Sequence, residues 1–161
     1  MKSLWAPWRM SYILGQDKPD GCIFCQASDG VGYDNLVLGV GETCLAMMNK
    51  YPYNNGHVLV APKRHVARLS ALSLEEQAGL IFNVTLATQA MQELMNPEGF
   101  NVGLNLGRAA GAGIEEHLHF HVVPRWTGDT NFMTVLGEVR SIPEHLEASY
   151  QKLKPYFSRL K

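Results

Sequence analysis

The chain has 161 residues, of which 46% are hydrophobic and 18% charged, and its formal net charge is −1. This length suffices for a domain with a hydrophobic core, and the near-neutral charge gives no indication of a nucleic acid or an anionic membrane as partner. No apolar run is long enough to span a bilayer or to form a signal peptide. We therefore expect a cytoplasmic protein with one domain over residues 1–161 and reduced cysteines.

The predicted strands lie on both sides of a central helix. An aromatic arm comes first, over residues 1–16, and carries Trp5 and Trp8. Apolar segments bounded by turn residues then predict four strands, at residues 36–40, 44–48, 57–62 and 100–106. A loop rich in glycine and alanine follows at residues 107–113.

Helix signals are clearest in the middle of the chain. Ser73 and Glu76 have the spacing of a capping box, which marks the start of a long helix. Helical spacing continues to about Asn96, and Pro97 then ends the helix. A shorter helix is predicted over residues 143–154. Because strands and helices do not alternate regularly, this order predicts an α+β fold with a mostly antiparallel sheet.

Three histidines at alternate positions provide the strongest functional signal. His117, His119 and His121 are separated by Leu118 and Phe120. This is the period-two pattern of a strand, on which residues i, i+2 and i+4 point to the same face. We expect three imidazoles on one surface of a strand, with the spacers in the core. Since the charge state and nucleophilicity of a histidine side chain are easily tuned near neutral pH, such a row favours a catalytic site over a solvated strand face.

Two chemistries are open to such a row of imidazoles. The histidines could hold a catalytic zinc ion, which needs three protein ligands and a water. Alternatively, one imidazole could be a covalent nucleophile that attacks a phosphate, while the others set its tautomer and charge. The second chemistry needs hydrogen-bond donors for the phosphate oxygens, and the backbone amides of residues 107–113 could supply them.

The histidine segment also resembles a known family. Residues 117–123 read HLHFHVV and match, at every position, the His-φ-His-φ-His-φ-φ motif of the histidine triad (HIT) superfamily. The resemblance extends over essentially the whole chain, through residues 49–52 (NKYP), residues 56–62 (GHVLVAP) and Asn105. It implies a HIT-like sheet of about five strands with one long and one shorter helix. It also implies a homodimer or larger oligomer, typically with a sheet continuous across two subunits.

The resemblance assigns roles to individual residues, for an enzyme that acts on the α-phosphate of a nucleotide conjugate. His119, the middle histidine, would be the nucleophile that forms a nucleotidyl-histidine. His121 would contact the phosphate, and His57 would be a buried supporting histidine. Asn49 would bind the ribose hydroxyls, and Asn105 would lie near the nucleophile and the phosphates. Among the loop glycines, we expect Gly111 and Gly113 to face the nucleotide.

Further segments resemble one branch of the superfamily, the bacterial ATP adenylyltransferases that phosphorolyse diadenosine polyphosphates. These segments are residues 4–9 (LWAPWR), 107–111 (GRAAG), 123–126 (VPRW) and 129–132 (DTNF). One departure concerns the leaving group. Many hydrolase members carry Gly-Gln-Ser/Thr before the triad, whereas Gly113 and Ile114 offer only backbone atoms here.

Cys22 and Cys25 form a Cys-x-x-Cys motif, which alone is typical of a redox pair or of half a zinc site. No βαβ pattern accompanies it, which argues against a thioredoxin-like pair. His65 resembles a zinc histidine of the cysteine-containing superfamily members, in which the first triad histidine, here His117, is the fourth ligand. The resemblance therefore implies a structural zinc site and no organic cofactor; the alternative is a metal-free pair of thiols.

These observations together predict two-step nucleotidyl transfer on a dinucleoside polyphosphate such as diadenosine tetraphosphate. His119 attacks the α-phosphate, and inorganic phosphate or water then cleaves the adenylyl-histidine. Two alternatives stay open. One is a zinc-dependent hydrolase that uses the triad as ligands, and the other is a nucleotide-binding module without turnover.

Overall fold

The structure, a computed structural model, describes residues 21–130 and 142–160 of the chain, so the aromatic arm at residues 1–16 lies outside the described residues. One sheet contains the strands β1 (Val37–Val40), β2 (Cys44–Met48), β3 (Val58–Pro62), β4 (Gly99–Leu104) and β5 (Phe120–Arg125). Their order is β1-β2-β3-β5-β4, and every neighbouring pair is antiparallel. The α-helices of the described residues are α1 (Ile23–Ala27), α2 (Leu74–Met95) and α3 (Leu146–Leu153). The predicted α+β fold is thus confirmed.

Both faces of the sheet are covered at its centre. Ala46 and Val60 pack into the core beneath α2 on one face. Leu45 and Leu59 pack with Phe24 of α1 on the other face. Because side chains alternate between the faces, β2 and β3 bury every one of their residues. The two layers fix the sheet between them.

Helix α2 begins and ends at the signals that the sequence shows. The Ser73 hydroxyl accepts from the Glu76 N–H at 3.1 Å, and the Glu76 carboxylate accepts from the Ser73 N–H at 2.7 Å, which confirms the capping box. Asn96 adopts the left-handed conformation that closes many helices, with φ at 45°. A Cβ at Gly79 would lie 2.5 Å from the Thr43 hydroxyl, so glycine lets α2 lie close to the sheet. Within the part of the chain that the structure describes, the helices lack the combination of length and hydrophobicity that spanning a membrane requires.

The histidine strand begins later than the sequence predicts. β5 starts at Phe120, so His117 and His119 precede the strand. Their backbone makes a different contact there, since the Leu118 N–H donates to the Val66 carbonyl at 2.7 Å. The surface that carries the two imidazoles is also closed rather than open. His117 is 0% exposed and His119 is 7% exposed, because α1 covers them.

Other predicted bounds differ at the ends of elements. The strand predicted over residues 100–106 is Gly99–Leu104, and the helix predicted over 143–154 is Leu146–Leu153, followed by a 3-10 helix at Lys154–Arg159. Helix α1 has no counterpart in the prediction. It has only five residues, which is too short for a periodic pattern to emerge.

Candidate active site

His119 is held by a hydrogen bond to the backbone. Its Nδ1 lies 2.8 Å from the carbonyl oxygen of His117. A carbonyl oxygen can only accept, so Nδ1 carries the proton and donates it. A neutral imidazole has one protonated nitrogen, and Nε2 of His119 therefore keeps its lone pair. An imidazole nitrogen in this state can attack an electrophilic phosphorus atom.

His121 ends a second chain of hydrogen bonds. The Tyr53 N–H donates to His57 Nδ1 at 3.0 Å, which places the proton of the fully buried His57 on Nε2. This nitrogen lies 2.9 Å from His121 Nδ1 and donates to it, so His121 carries its own proton on Nε2. The ring centroids of His119 and His121 are 5.0 Å apart. A nucleophilic nitrogen and a proton donor thus belong to neighbouring rings.

Burial keeps the triad neutral. It lowers the pKa of His119, against an opposing effect of the hydrogen bond to His117. Burial, and secondarily the nearby His119, lowers the pKa of His121 to about 4. Burial also lowers the pKa of His117, although its bond to the Pro62 carbonyl acts in the opposite direction. At neutral pH the imidazoles are therefore uncharged, as a nitrogen nucleophile requires.

Asn49, the residue predicted to bind ribose, lies beside the supporting histidine. Its Oδ1 accepts from the Tyr51 N–H at 2.9 Å, and its Nδ2 lies 3.3 Å from His57 Nδ1. Tyr53 stacks on His121, with ring centroids 5.5 Å apart and an interplanar angle of 13°. The structure therefore brings three predicted site residues, Asn49, His57 and His121, into one connected group.

Asn105, Gly111 and Gly113 belong to the connection between β4 and β5. The half-buried Asn105 has its Nδ2 3.5 Å from the Gly111 carbonyl, at the outer limit of a hydrogen bond. Gly111 has a φ of 85°, which favours glycine. Both glycines are exposed, and an ion pair of 2.9 Å between Arg108 and Glu115 spans the loop. Within the described residues, these three nucleotide-site candidates lie outside the hydrogen-bonded histidine group.

The four predicted metal ligands meet beside the triad. The ligand atoms of Cys22, Cys25, His65 and His117 all lie within 4.8 Å of one another. Cys22 Sγ is 3.2 Å from His117 Nδ1, and Cys25 Sγ is 3.2 Å from His65 Nδ1. His117 Nε2 donates to the Pro62 carbonyl at 2.8 Å, so its Nδ1 offers a lone pair to the cluster.

The donor set of this cluster fits zinc. With Zn–S and Zn–N bonds of about 2.3 and 2.0 Å, sulfur and nitrogen ligands of a tetrahedral ion lie about 3.5 Å apart. The distances from His117 Nδ1 to the sulfurs of Cys22 and Cys25, 3.2 and 3.7 Å, bracket this value. Two thiolates with two neutral imidazoles are typical of closed structural zinc sites. An ion bound there would fix the His117 ring.

Backbone groups set the tautomers of the histidines, and sequence reasoning missed them. The Tyr53 N–H and the carbonyls of Pro62 and His117 each orient one imidazole. No sequence signal could have revealed them, because every residue but proline carries both groups. The packing of Phe24 was missed as well. Its position inside the Cys-x-x-Cys motif, between two proposed ligands, was a usable signal.

Comparison with known proteins identifies the family. A sequence model of the HIT domain matches residues 33–128, which is more than half of the chain and includes the triad. The chain therefore belongs to the HIT domain family. This confirms the family resemblance that the sequence predicts.

Individual relatives cover much of the chain. The AP-4-A phosphorylase of Mycobacterium tuberculosis is 37% identical over 167 residues, covering 99% of this chain and 86% of the relative. The bis(5'-adenosyl)-triphosphatase of Dictyostelium discoideum is 31% identical over 121 residues, covering 74% of this chain and 79% of the relative. Among solved structures, a Zn-bound histidine triad family protein from Mycobacterium smegmatis is similar, with a TM-score of 0.67 and 29% identity. The structural match covers 87% of this chain and 95% of the Mycobacterium smegmatis chain.

The depressed pKa of His121 predicts a specific loss of stability in acid. Its pKa falls from an ordinary 6.5 to about 4 on folding, so between these pH values the unfolded chain binds a proton that the folded chain does not. The contribution is present above pH 6.5 and is lost as the pH falls towards 4. We expect His121→Asn, which keeps an acceptor for His57, to lose less stability than the wild type over this interval.

Urea unfolding at the two ends of the interval measures this difference. His145→Asn, at an exposed histidine outside the site, is the control and should follow the wild type. An equal loss of stability in the wild type and in His121→Asn would contradict the burial of a neutral His121.

Proposed function

We propose that this chain is a nucleotidyl-transferring phosphorylase of dinucleoside polyphosphates, with His119 as its covalent nucleophile. One observation carries the proposal: the hydrogen bond from His119 Nδ1 to the His117 carbonyl, 2.8 Å long, which directs the lone pair to Nε2. A buried neutral imidazole with a fixed tautomer is equipped to attack phosphorus.

The proposed reaction has two displacements. His119 Nε2 forms a bond to the α-phosphorus of diadenosine tetraphosphate, the bond from that phosphorus to the bridging oxygen breaks, and ATP leaves. An oxygen of inorganic phosphate then attacks the same phosphorus, the P–N bond breaks, and ADP leaves with His119 restored. The Nε2–H of His121 donates to a phosphoryl oxygen, where charge develops in both steps.

Phosphate is favoured over water as the acceptor on two grounds. Gly113 and Ile114 stand where many hydrolases of the family carry a Gln and a hydroxyl residue, so the chain lacks those side chains before the triad. The Mycobacterium tuberculosis relative is named a phosphorylase of AP-4-A and aligns with 99% of this chain. Hydrolysis, with water as the acceptor, is the second candidate, supported by the triphosphatase from Dictyostelium discoideum.

A zinc-dependent hydrolase built on the triad finds less support. His117 Nδ1 faces the cysteines, while the Nδ1 atoms of His119 and His121 are each engaged in a hydrogen bond. Within the described residues, one group of His, Cys, Asp or Glu side chains is arranged to hold a metal ion, and it contains only the first triad histidine.

Product analysis with diadenosine tetraphosphate tests the function directly. We expect ADP and ATP in equal amounts, and only when inorganic phosphate is present. His119→Asn should abolish turnover and keep nucleotide binding nearly intact, whereas His145→Asn should retain both. AMP and ATP without added phosphate would establish the hydrolase instead. Turnover by His119→Asn would exclude His119 as the nucleophile.

We also propose that Cys22, Cys25, His65 and His117 bind a structural zinc ion. The donor set and the S–N distances of 3.2 and 3.7 Å support this assignment. Bound there, zinc would supply no chemistry to the substrate and would hold His117, whose carbonyl orients the nucleophile. Because such a site needs reduced thiols, we further propose a cytoplasmic location.

Metal analysis of cysteine variants tests the zinc site. We expect one zinc per chain in the wild type and a loss of most of it in Cys22→Ser and Cys25→Ser, with a lower melting temperature. Cys44→Ala, at a buried cysteine outside the cluster, should keep its zinc. Metal-free wild-type protein that melts at the same temperature with and without added zinc would refute the assignment.

We further propose a homodimer formed through the outer edge of β4. Among the described strands β4 pairs only with β5, so its other edge offers unpaired backbone groups. Val102 shares a sheet face with Phe100 and Leu104, which pack against the core beneath α2. Yet Val102 is 46% exposed. A second copy across a twofold axis would continue the sheet and cover this residue.

A lysine on the proposed interface tests the dimer. Val102→Lys should convert the dimer to a monomer of 17.9 kDa, since a charged edge opposes strand pairing. Val31→Lys is the matched control, because Val31 is exposed to a similar extent, 47%, and lies far along the chain from β4. Light scattering reads the mass. A wild type that is monomeric, or a Val102→Lys variant that stays dimeric, would contradict this interface.

A further inference from the structure

One aromatic side chain lies between the metal cluster and the nucleophile. Phe24 is 0% exposed, and its ring centroid lies 5.0 Å from that of His117 and 4.8 Å from that of His119. The rings are tilted by 47° and 33°, respectively. Phe24 is therefore in van der Waals contact with both imidazoles at once.

The position of Phe24 in the chain explains how it is held. It lies between Cys22 and Cys25, and it belongs to α1, whose first turn follows Cys22 directly. Beneath it, Val37 and Leu45 complete a buried apolar cluster on this face of the sheet. The Phe24 ring is thus held by the backbone of α1 next to the cysteines and by the apolar side chains of the sheet.

The hydrogen bond to His117 does not by itself fix the His119 ring. Rotation about the bond from Cβ to the imidazole has broad, roughly twofold minima, so one hydrogen bond leaves torsional freedom. A half-turn of the ring would place a carbon atom against the His117 carbonyl. The hydrogen bond that favours the Nδ1–H tautomer would then be lost. A flat ring packed 4.8 Å away opposes this rotation, because protein interiors are densely packed and tolerate little displacement.

We propose that Phe24 is a positioning residue for the nucleophile. The Phe24 ring holds the His119 ring in the orientation that presents Nε2 to the α-phosphate. The inference rests on the proposed role of His119 in nucleotidyl transfer. Phe24 contacts the imidazole and not the reacting phosphate in this role. Its loss therefore slows the chemical step and leaves substrate affinity in place.

Two matched variants separate positioning from simple core packing. Phe24→Leu keeps an apolar residue of smaller, non-planar shape. Phe157→Leu makes the same change at a phenylalanine that is 1% exposed in the other core, beneath α2. We expect both variants to melt at a lower temperature. Only Phe24→Leu should lower kcat on diadenosine tetraphosphate, by about ten- to a hundredfold with KM nearly unchanged, as small misplacements of reacting groups do.

Nitrogen NMR of the histidine rings, recorded without substrate, gives a second readout. In the wild type and in Phe157→Leu, His119 should show one tautomer, with the proton on Nδ1. In Phe24→Leu it should show a mixture of the two tautomers.

The inference would be overturned if Phe24→Leu kept the single tautomer and the wild-type kcat while its melting temperature fell as much as that of Phe157→Leu. If the wild type turns over no dinucleoside polyphosphate, the proposed function fails. The NMR comparison then decides alone whether Phe24 orients His119.

Discussion

The hydrogen bond from the His119 ring to the carbonyl of His117 is the interaction on which the candidate site depends. It fixes which nitrogen carries the proton, and hence which one can attack. The bond is useful only if the His117 carbonyl is itself fixed. His117 meets this condition, because its Nε2 bonds to the Pro62 carbonyl and its Nδ1 faces the cysteine sulfurs. The next residue, Leu118, is anchored by its N–H to Val66.

The rings of His119 and His121 are oriented by backbone groups of opposite kind, a carbonyl for His119 and, through His57, an N–H for His121. The His117 carbonyl accepts a hydrogen bond from His119, while the Tyr53 N–H, at the start of the other chain, donates one to His57. His57 in turn donates to His121 Nδ1, so His121 carries an N–H at Nε2. His119 carries a lone pair at the same ring position. Burial lowers the pKa of both rings, so neither tautomer is lost to protonation at neutral pH. Complementary roles thus arise from identical side chains.

The sequence predicted the elements with strong local signals. The capping box of Ser73 and Glu76 and the apolar strands β2 and β3 lie where the patterns place them. The sequence also predicted which cysteines and histidines would meet, through the family resemblance rather than through spacing. It could not predict the helix of Phe24, which is too short for a period, or the backbone partners of the imidazoles. Contacts between distant segments leave no mark in a local pattern.

The late start of β5, at Phe120 and not at His117, has a chemical consequence. A strand over all three histidines would leave the His117 carbonyl within reach of the ladder, where carbonyls bond to the neighbouring strand. In the structure the pairing of β5 with β3 and β4 begins at Phe120. His117 and His119 lie just before that point, so the carbonyl of His117 can accept from an imidazole instead. β5 sets the direction of His121, and the segment just before β5 supplies the backbone carbonyl that accepts from His119.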